Sequence, residues 1–470
     1  MSDESAGGAH QFPLLDPLRG IAAMSILLVH TSLWSKAQDN RGYGRFFAHL
    51  DIGVPFFFVL SAFLLYRPFV QARVARTPRT PFRDYGRRRF VRIAPPYWAA
   101  LTITAIIPGM VGAFTGNWWV YYGLLQNFPV FTPTGVCADP FGTARCGIPV
   151  AWSLSIEVMF YLCLPLFVLA MAWLGRRRWG GLVMLALSAV AIIPAISAVI
   201  QAAGPKTGMP QSLFASPLGR GWGLGLAVGA AAVLFVWARV WVGWRWRGGL
   251  LTLELSAVAL ITAISVVIQA SVPKSSIHQW LFYSPLGRGW WFGLGLGIAA
   301  VSVDAGKRRS EPGFVQWLRR HPNVPVVGGI VLYAWAAGLL LEPRSTLAFP
   351  FRIDKALYVA QYLLFGVIVA LFMLPAVFGT DGGGFVRRVL RNRTLVWFGL
   401  VSYGIFLWHF PVLILLLDHP VLLGYRVTTF VPLTVLTCVI TVACASVSYY
   451  VLERPLMRWV RRRHSGLRAA

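Results

Sequence analysis

Apolar runs of about 20 residues recur along the chain, separated by short segments rich in Arg, Gly and Pro. Twenty helical residues rise about 30 Å, the thickness of a bilayer's hydrocarbon core. Reading the runs against their charged interruptions predicts twelve helices. They fall at 14–34, 50–70, 93–115, 152–174, 181–201, 215–238, 250–270, 283–303, 324–341, 357–378, 396–417 and 430–451. The predicted fold class is therefore all-α, a polytopic helical membrane protein. The first run contains "LDPLRGIAAMSILLVH", with Arg19 and His30 eleven positions apart. Eleven residues make about three turns, so both side chains share one helix face, about 16 Å apart along the axis. Arg89 and Arg92 stand one turn apart where the third run begins, again on one face.

The pattern repeats within itself. "LSAVAIIPAISAVIQAAGPKTGMPQSLFASPLGRGW" (187–222) aligns without a gap to "LSAVALITAISVVIQASVPKSSIHQWLFYSPLGRGW" (255–290), and about two-thirds of the positions are identical. Each unit carries a helix, a loop and the start of the next helix. Two spans per unit preserve orientation, so the copies run parallel. Inverted repeats of the transporter kind need an odd number. The chain is expected to form one membrane domain over residues 1–470, ending in a basic tail at 453–470.

Composition narrows the class. Of 470 residues, 57% are hydrophobic and only 13% charged, about half the charged fraction of a soluble domain. The net charge of +27 first suggests a nucleic-acid partner, but its placement argues against one. With Arg19, the even-numbered loops and the C-terminal tail hold 31 of the 43 Lys and Arg. The positive-inside rule then puts those loops and both termini in the cytoplasm of a multi-pass plasma-membrane protein, in contact with lipid rather than nucleic acid. The N-terminus lacks the basic region of a cleaved signal peptide, so the first span is expected to stay in the mature protein. Cys137 and Cys146 share a polar loop on the opposite, oxidising side. A disulfide is expected there, with two free thiols as the alternative. No metal-ligand spacing occurs, and no metal is expected.

Ionisable residues inside spans are costly, and each is by default a candidate functional group. Arg19, His30 and Glu157 qualify. Counted from the ends of their runs, His30 and Glu157 both fall in the outer third. A carboxylate beside an imidazole fixes its tautomer and stabilises its protonated form, so the pair could act as a general base. It could equally serve only to tie two helices together. His409 lies mid-helix beside Trp408, where it could line an acceptor pocket or bond a neighbouring helix. Asp16 reads as a helix cap or ion-pair partner of Arg19, and Glu453 as structural.

Six segments together resemble the membrane acyltransferase-3 family: "LDPLRGIAAMSILLVH", "GVPFFFVLSAFLLY", "RRRFVRIAPPYW", "AWSLSIEVMFYLCLP", "SYGIFLWHFPVL" and "SYYVLERPL". They occur in the family's order over nearly the whole chain. The resemblance implies a core of about ten helices, to which the duplicated pair adds two. It implies transfer of an acyl group, acetyl or another short one, from cytoplasmic acyl-CoA to a hydroxyl of an extracytoplasmic glycan or glycolipid. In that reading His30 is the general base, assisted by Glu157. Arg19, Arg89 and Arg92 hold the CoA phosphates, which suit the planar guanidinium fork. Trp152, Ser153, Ser155, Arg220, Arg288, Trp408 and His409 would contact substrate. The motif "SPLGRGW" occurs twice here, so the family leaves the shares of Arg220 and Arg288 open. The competing class is a transporter or flippase for an envelope lipid or glycan precursor.

Overall fold

The computed structural model describes residues 12–40, 42–107, 118–128, 147–176, 188, 191, 249–270, 280–340, 355–418 and 427–469. Among the described residues there are helices and no strands. The principal helices are α1 (Leu15–Trp34), α2 (Gly53–Ala75), α3 (Phe82–Ile106), α4 (Ala151–Arg176), α5 (Gly249–Ala270), α6 (Gly289–Lys307), α7 (Gly313–Arg320), α8 (Asn323–Trp335), α9 (Lys355–Val377), α10 (Phe385–Leu390), α11 (Arg393–Asp418), α12 (Phe430–Val447) and α13 (Arg454–Ala469). The protein is a polytopic helical membrane protein. Six segments among the described residues are long and apolar enough to cross a membrane: Gly44–Ala75, Ala151–Arg176, Leu251–Ala270, Leu357–Val377, Arg393–Leu417 and Phe430–Val460. The helices expected at 181–201 and 215–238 fall almost wholly outside the described residues, as do Arg220, Cys137, Cys146 and most of the first repeat copy.

Boundaries shift where polarity and helicity part company. Helix α3 starts well ahead of the predicted span because its Arg-rich first half is a good helix former but not an apolar one. Within it, Pro95 and Pro96 lack the N–H groups that would close on the carbonyls of Val91 and Arg92, which loosens the helix beside Arg92. Helix α6 starts later than predicted. "SPLGR" forms a turn instead, in which Ser284 Oγ donates to the Leu281 carbonyl and accepts from the Gly287 N–H.

Close backbone approaches at glycines set the helix packing. An added Cβ at Gly399 of α11 would stand 2.1 Å from the Asp16 carbonyl oxygen of α1. One at Gly404 would meet Ala445 of α12 at 2.8 Å, and one at Gly295 of α6 would meet the Val59 oxygen of α2 at 2.3 Å. Small residues at such crossings let helices gain dispersion contacts that lipid cannot supply. Helices α1, α2 and α11 thus form the centre, with α3 and α4 flanking them and α5, α6 and α9 behind α2. Gly295→Ala should destabilise the protein by about 1–3 kcal/mol, since the α2–α6 pair must separate. Gly306→Ala, in the same helix with nothing within 4 Å of its Cβ, should be neutral or slightly stabilising. Thermal unfolding of both variants in one detergent checks this.

One arginine of the basic loops has a specific structural task. Arg387 of α10 is fully buried. It donates to the carbonyls of Leu318 and Arg319 at the end of α7, of Pro375 and Phe378 at the end of α9, and of Gly383. A cation at two helix C-termini satisfies their orphan carbonyls and complements their dipoles.

Candidate active site

A partly open cavity lies between α1, α2, α3, α4 and α11, toward the end of the bundle where the arginines gather. Arg19 enters it from α1, and Arg89 and Arg92 from one face of α3. Helix α2 supplies Ser61, α4 supplies Ser153, Glu157 and Tyr161, and α11 supplies Ser402, Tyr403 and Phe406. Arg19 makes a long contact with Asp16, 3.4 Å, one turn before it. Arg89 lies over the ring of Tyr161, 5.9 Å from its centroid. Among the described residues no carboxylate comes within ion-pair distance of Arg89 or Arg92. Three guanidinium groups converging on one partly enclosed space repel one another, and an anion with several oxygens would relieve that repulsion.

Glu157 belongs to this arginine cavity. Ser61 Oγ and Tyr161 Oη both donate to its Oε1. The expected His30–Glu157 pair is not formed. The depth count that led to it fails because α2 starts in mid-bundle: Gly53 packs on the Ala22 carbonyl, Ser25 and Ile26 of α1. Ser61 lies eight residues further on, and His30 four residues beyond Ile26 the other way. At 1.5 Å per residue, Glu157 and His30 are separated by roughly 15–20 Å along the bundle. Residues 37–49, between the first two predicted spans, and the first residues of the predicted second span, 50–52, fold as short helical turns against the far end of α1, where Gln38 Nε2 donates to Val29 O and Ser32 Oγ.

His30 has another partner. Its Nδ1 lies 3.1 Å from His409 Nε2, with the rings stacked at 5.2 Å, and Phe410 stands edge-on at 5.3 Å. His409 is fully buried, and its Nδ1 lies 3.0 Å from the Ile405 carbonyl. The cavity does not reach this pair. Phe406 lines its near wall, with its ring 6.1 Å from that of His409 and 6.0 Å from that of Phe57.

The remaining predicted contacts divide. Ser153 lines the cavity, but Ser155 is turned away, donating to the Leu124 carbonyl at 2.5 Å. Trp152 packs its ring against Tyr283 and beside Arg288. Arg288 is 3% exposed and is held by the rings of Trp152, Phe282, Tyr283 and Trp291 at 5.1–5.7 Å, with Tyr358 Oη accepting from it at 3.0 Å. It is separate from the arginine cavity. Trp408 is half-buried, next to His409 and off the cavity lining. Ser61, Tyr161, Tyr403 and Phe406 went unread in the sequence. Two of them carried a signal: Tyr161 is one turn from Glu157, and Ser61 is a hydroxyl set in a wholly apolar run.

Comparison with known proteins bears on the same residues. Residues 13–214 match the Acyl_transf_3 family model, an acyltransferase domain. That segment contains Arg19, His30, Arg89, Arg92 and Glu157, while Arg288 and His409 lie beyond it. The chain is similar to YrhL of Bacillus subtilis (strain 168), provisionally named a peptidoglycan O-acetyltransferase. They are 23% identical over 469 residues, which cover 94% of this chain and 54% of YrhL. It is also similar to the peptidoglycan O-acetyltransferase OatA of Listeria monocytogenes serovar 1/2a, 26% identical over 173 residues, 33% of this chain and 24% of OatA. The chain spans about half the length of YrhL and about a quarter of OatA is matched. No solved structure matches. The family model's match and the order of the motifs agree, and residues 13–214 form an acyltransferase domain of the membrane acyltransferase-3 kind.

Proposed function

We propose that the protein is a membrane O-acyltransferase. It would move an acetyl or other short acyl group from cytoplasmic acyl-CoA to a hydroxyl of a cell-envelope glycan. The names of YrhL and OatA suggest peptidoglycan as the acceptor. The observation that carries this reading is the convergence of Arg19, Arg89 and Arg92 on one cavity at the basic end of the bundle. By the positive-inside rule that end faces the cytoplasm, where acyl-CoA is made. The three guanidinium forks would take the CoA phosphates, and Glu157, held by Ser61 and Tyr161, would limit the repulsion among them.

The pantetheine arm would then run along the α1 face from Arg19 toward His30, and the acyl group would cross while the nucleotide stays behind. Phe406 lines the cavity and neighbours His409, so productive binding requires this ring to move aside. His30 takes the proton of the acceptor hydroxyl as its oxygen attacks the thioester carbonyl. The new C–O bond forms, the C–S bond breaks, and the CoA thiolate recovers the proton from His30.

Purified protein in liposomes, given acetyl-CoA labelled in its acetyl group and soluble peptidoglycan fragments, tests the reading. Label should appear as ester on the glycan, with free CoA released in equal amount. Absence of both transfer and acetyl-CoA binding would refute it. Movement of intact glycan or lipid across the bilayer without ester formation would favour the transporter class instead.

A further inference from the structure

Helix α11 contributes a group that the arginine cavity does not contain. His409 sits at its centre, fully buried, with both ring nitrogens engaged. The partners dictate where its proton lies. A carbonyl oxygen can only accept, so the nitrogen facing the Ile405 carbonyl, Nδ1, carries the hydrogen. In a neutral ring Nε2 then bears the lone pair and accepts. The atom facing it is His30 Nδ1, which must be the donor. That leaves the lone pair of His30 on Nε2, the nitrogen turned away from His409. His30 is half-buried, and among the described residues neither ring has a carboxylate within ion-pair distance.

We infer that His409 is the positioning residue of this site: the chain Ile405 C=O, His409, His30 holds His30 in the tautomer whose Nε2 is free to take a proton. The inference rests on the acyltransferase reading for its consequence and on geometry alone for the tautomer. His409 does from a neutral ring what a carboxylate does in the catalytic triads of hydrolases. When His30 accepts the acceptor's proton at Nε2, its Nδ1–H still donates to His409 Nε2, and that hydrogen bond strengthens because its donor is now charged. The wrong tautomer would point an N–H at the incoming hydroxyl and leave nothing to accept its proton. The order of the rings also explains why His409 is fully buried and His30 is not: only His30 need meet substrate.

Two substitutions and one spectroscopic measurement test this. His409→Phe keeps an aromatic ring of similar size but removes the acceptor. His409→Gln restores an acceptor, its amide oxygen, near the position of Nε2. Turnover should fall about 100-fold in His409→Phe, within the range for loss of general-base function, while KM for acetyl-CoA stays unchanged. His409→Gln should recover about tenfold of that loss. Equal losses in the two variants, or no loss in either, would overturn the inference, the first by assigning His409 to packing.

The tautomer is read directly by solid-state nitrogen NMR of protein labelled with ¹⁵N-histidine in lipid bilayers. The difference from a His30→Gln sample identifies the His30 signals. A protonated Nδ1 and a bare Nε2 are expected, and the reverse assignment overturns the inference even if His409→Phe fails to fold. Wild-type protein that shows this tautomer but transfers no acyl group would instead count against the acyltransferase reading.

Discussion

His30→Ala should abolish acyl transfer and leave the affinity for acyl-CoA near its wild-type value. The separation of the two effects follows from the geometry. The arginine cavity is lined by Phe406 on the side of His409, and neither His30 nor His409 lines it. In the proposed reading, removing the imidazole therefore takes away the proton acceptor without touching a group of the arginine cavity. A loss of about 10²–10⁴ in single-turnover transfer is the range for a general base. An equilibrium titration with acetyl-CoA, run on the same preparation, should superimpose on that of wild type. Transfer that survives substantially would mean the base lies elsewhere, and Glu157, inside the arginine cavity, would be the next residue to replace.

Arg92→Lys gives the opposite pattern. The charge is kept, so membrane topology is unaffected, but the planar two-pronged donor is lost. Acyl-CoA affinity should fall by about 1–3 kcal/mol, the worth of a hydrogen bond to a charged group, which is roughly five- to 150-fold in Kd. Arg89→Lys should behave alike, because both residues project from one face of α3 into the same space. The rate of transfer at saturating donor should change little. Arg320→Lys, on the exposed side of the short helix α7, supplies the control, since a topology signal needs only positive charge. Unchanged affinity in all three variants would reduce Arg89 and Arg92 to topology and remove the main support for a CoA donor. The two experiments together separate binding from chemistry: arginine variants shift the titration, and the histidine variant shifts the rate.

Glu157 shows where reading along the chain runs out. It lies six residues into α4, and counting from the end of that apolar run matched its depth to His30. Counting assumes that every helix starts at the same membrane level. Helix α2 does not: it begins against Ala22 and Ile26, part-way down α1, because Gly53 lets its backbone approach that far into the bundle. Ser61 and Glu157 are carried with it to the level of Arg19. The offset of one helix against another is fixed by where small residues allow contact on both partners, and that is a property of pairs of segments rather than of either alone.

The chain's period and charge, by contrast, are local properties, and they determined a great deal. Apolar runs of bilayer length dictated an all-helical membrane architecture, because an unpaired backbone group in hydrocarbon costs several kcal/mol and a helix pairs its own. The 3.6-residue turn put Arg19 and His30 on one face of α1 and Arg89 and Arg92 on one face of α3, and nothing beyond the spacing was needed. Only the tertiary structure decided what those faces meet. It put the three arginines in one cavity with Glu157. It buried Arg387 under the ends of two helices, although the sequence made that residue look like one more topological charge. It gave His30 a partner 379 residues away. The sequence read His409 as a mid-helix residue that could line an acceptor pocket or bond a neighbouring helix, but not which helix or residue, because a hydrogen bond between two helices leaves no period in either. It exists only once Gly20 and Gly399 have brought α1 and α11 close enough for the rings to touch.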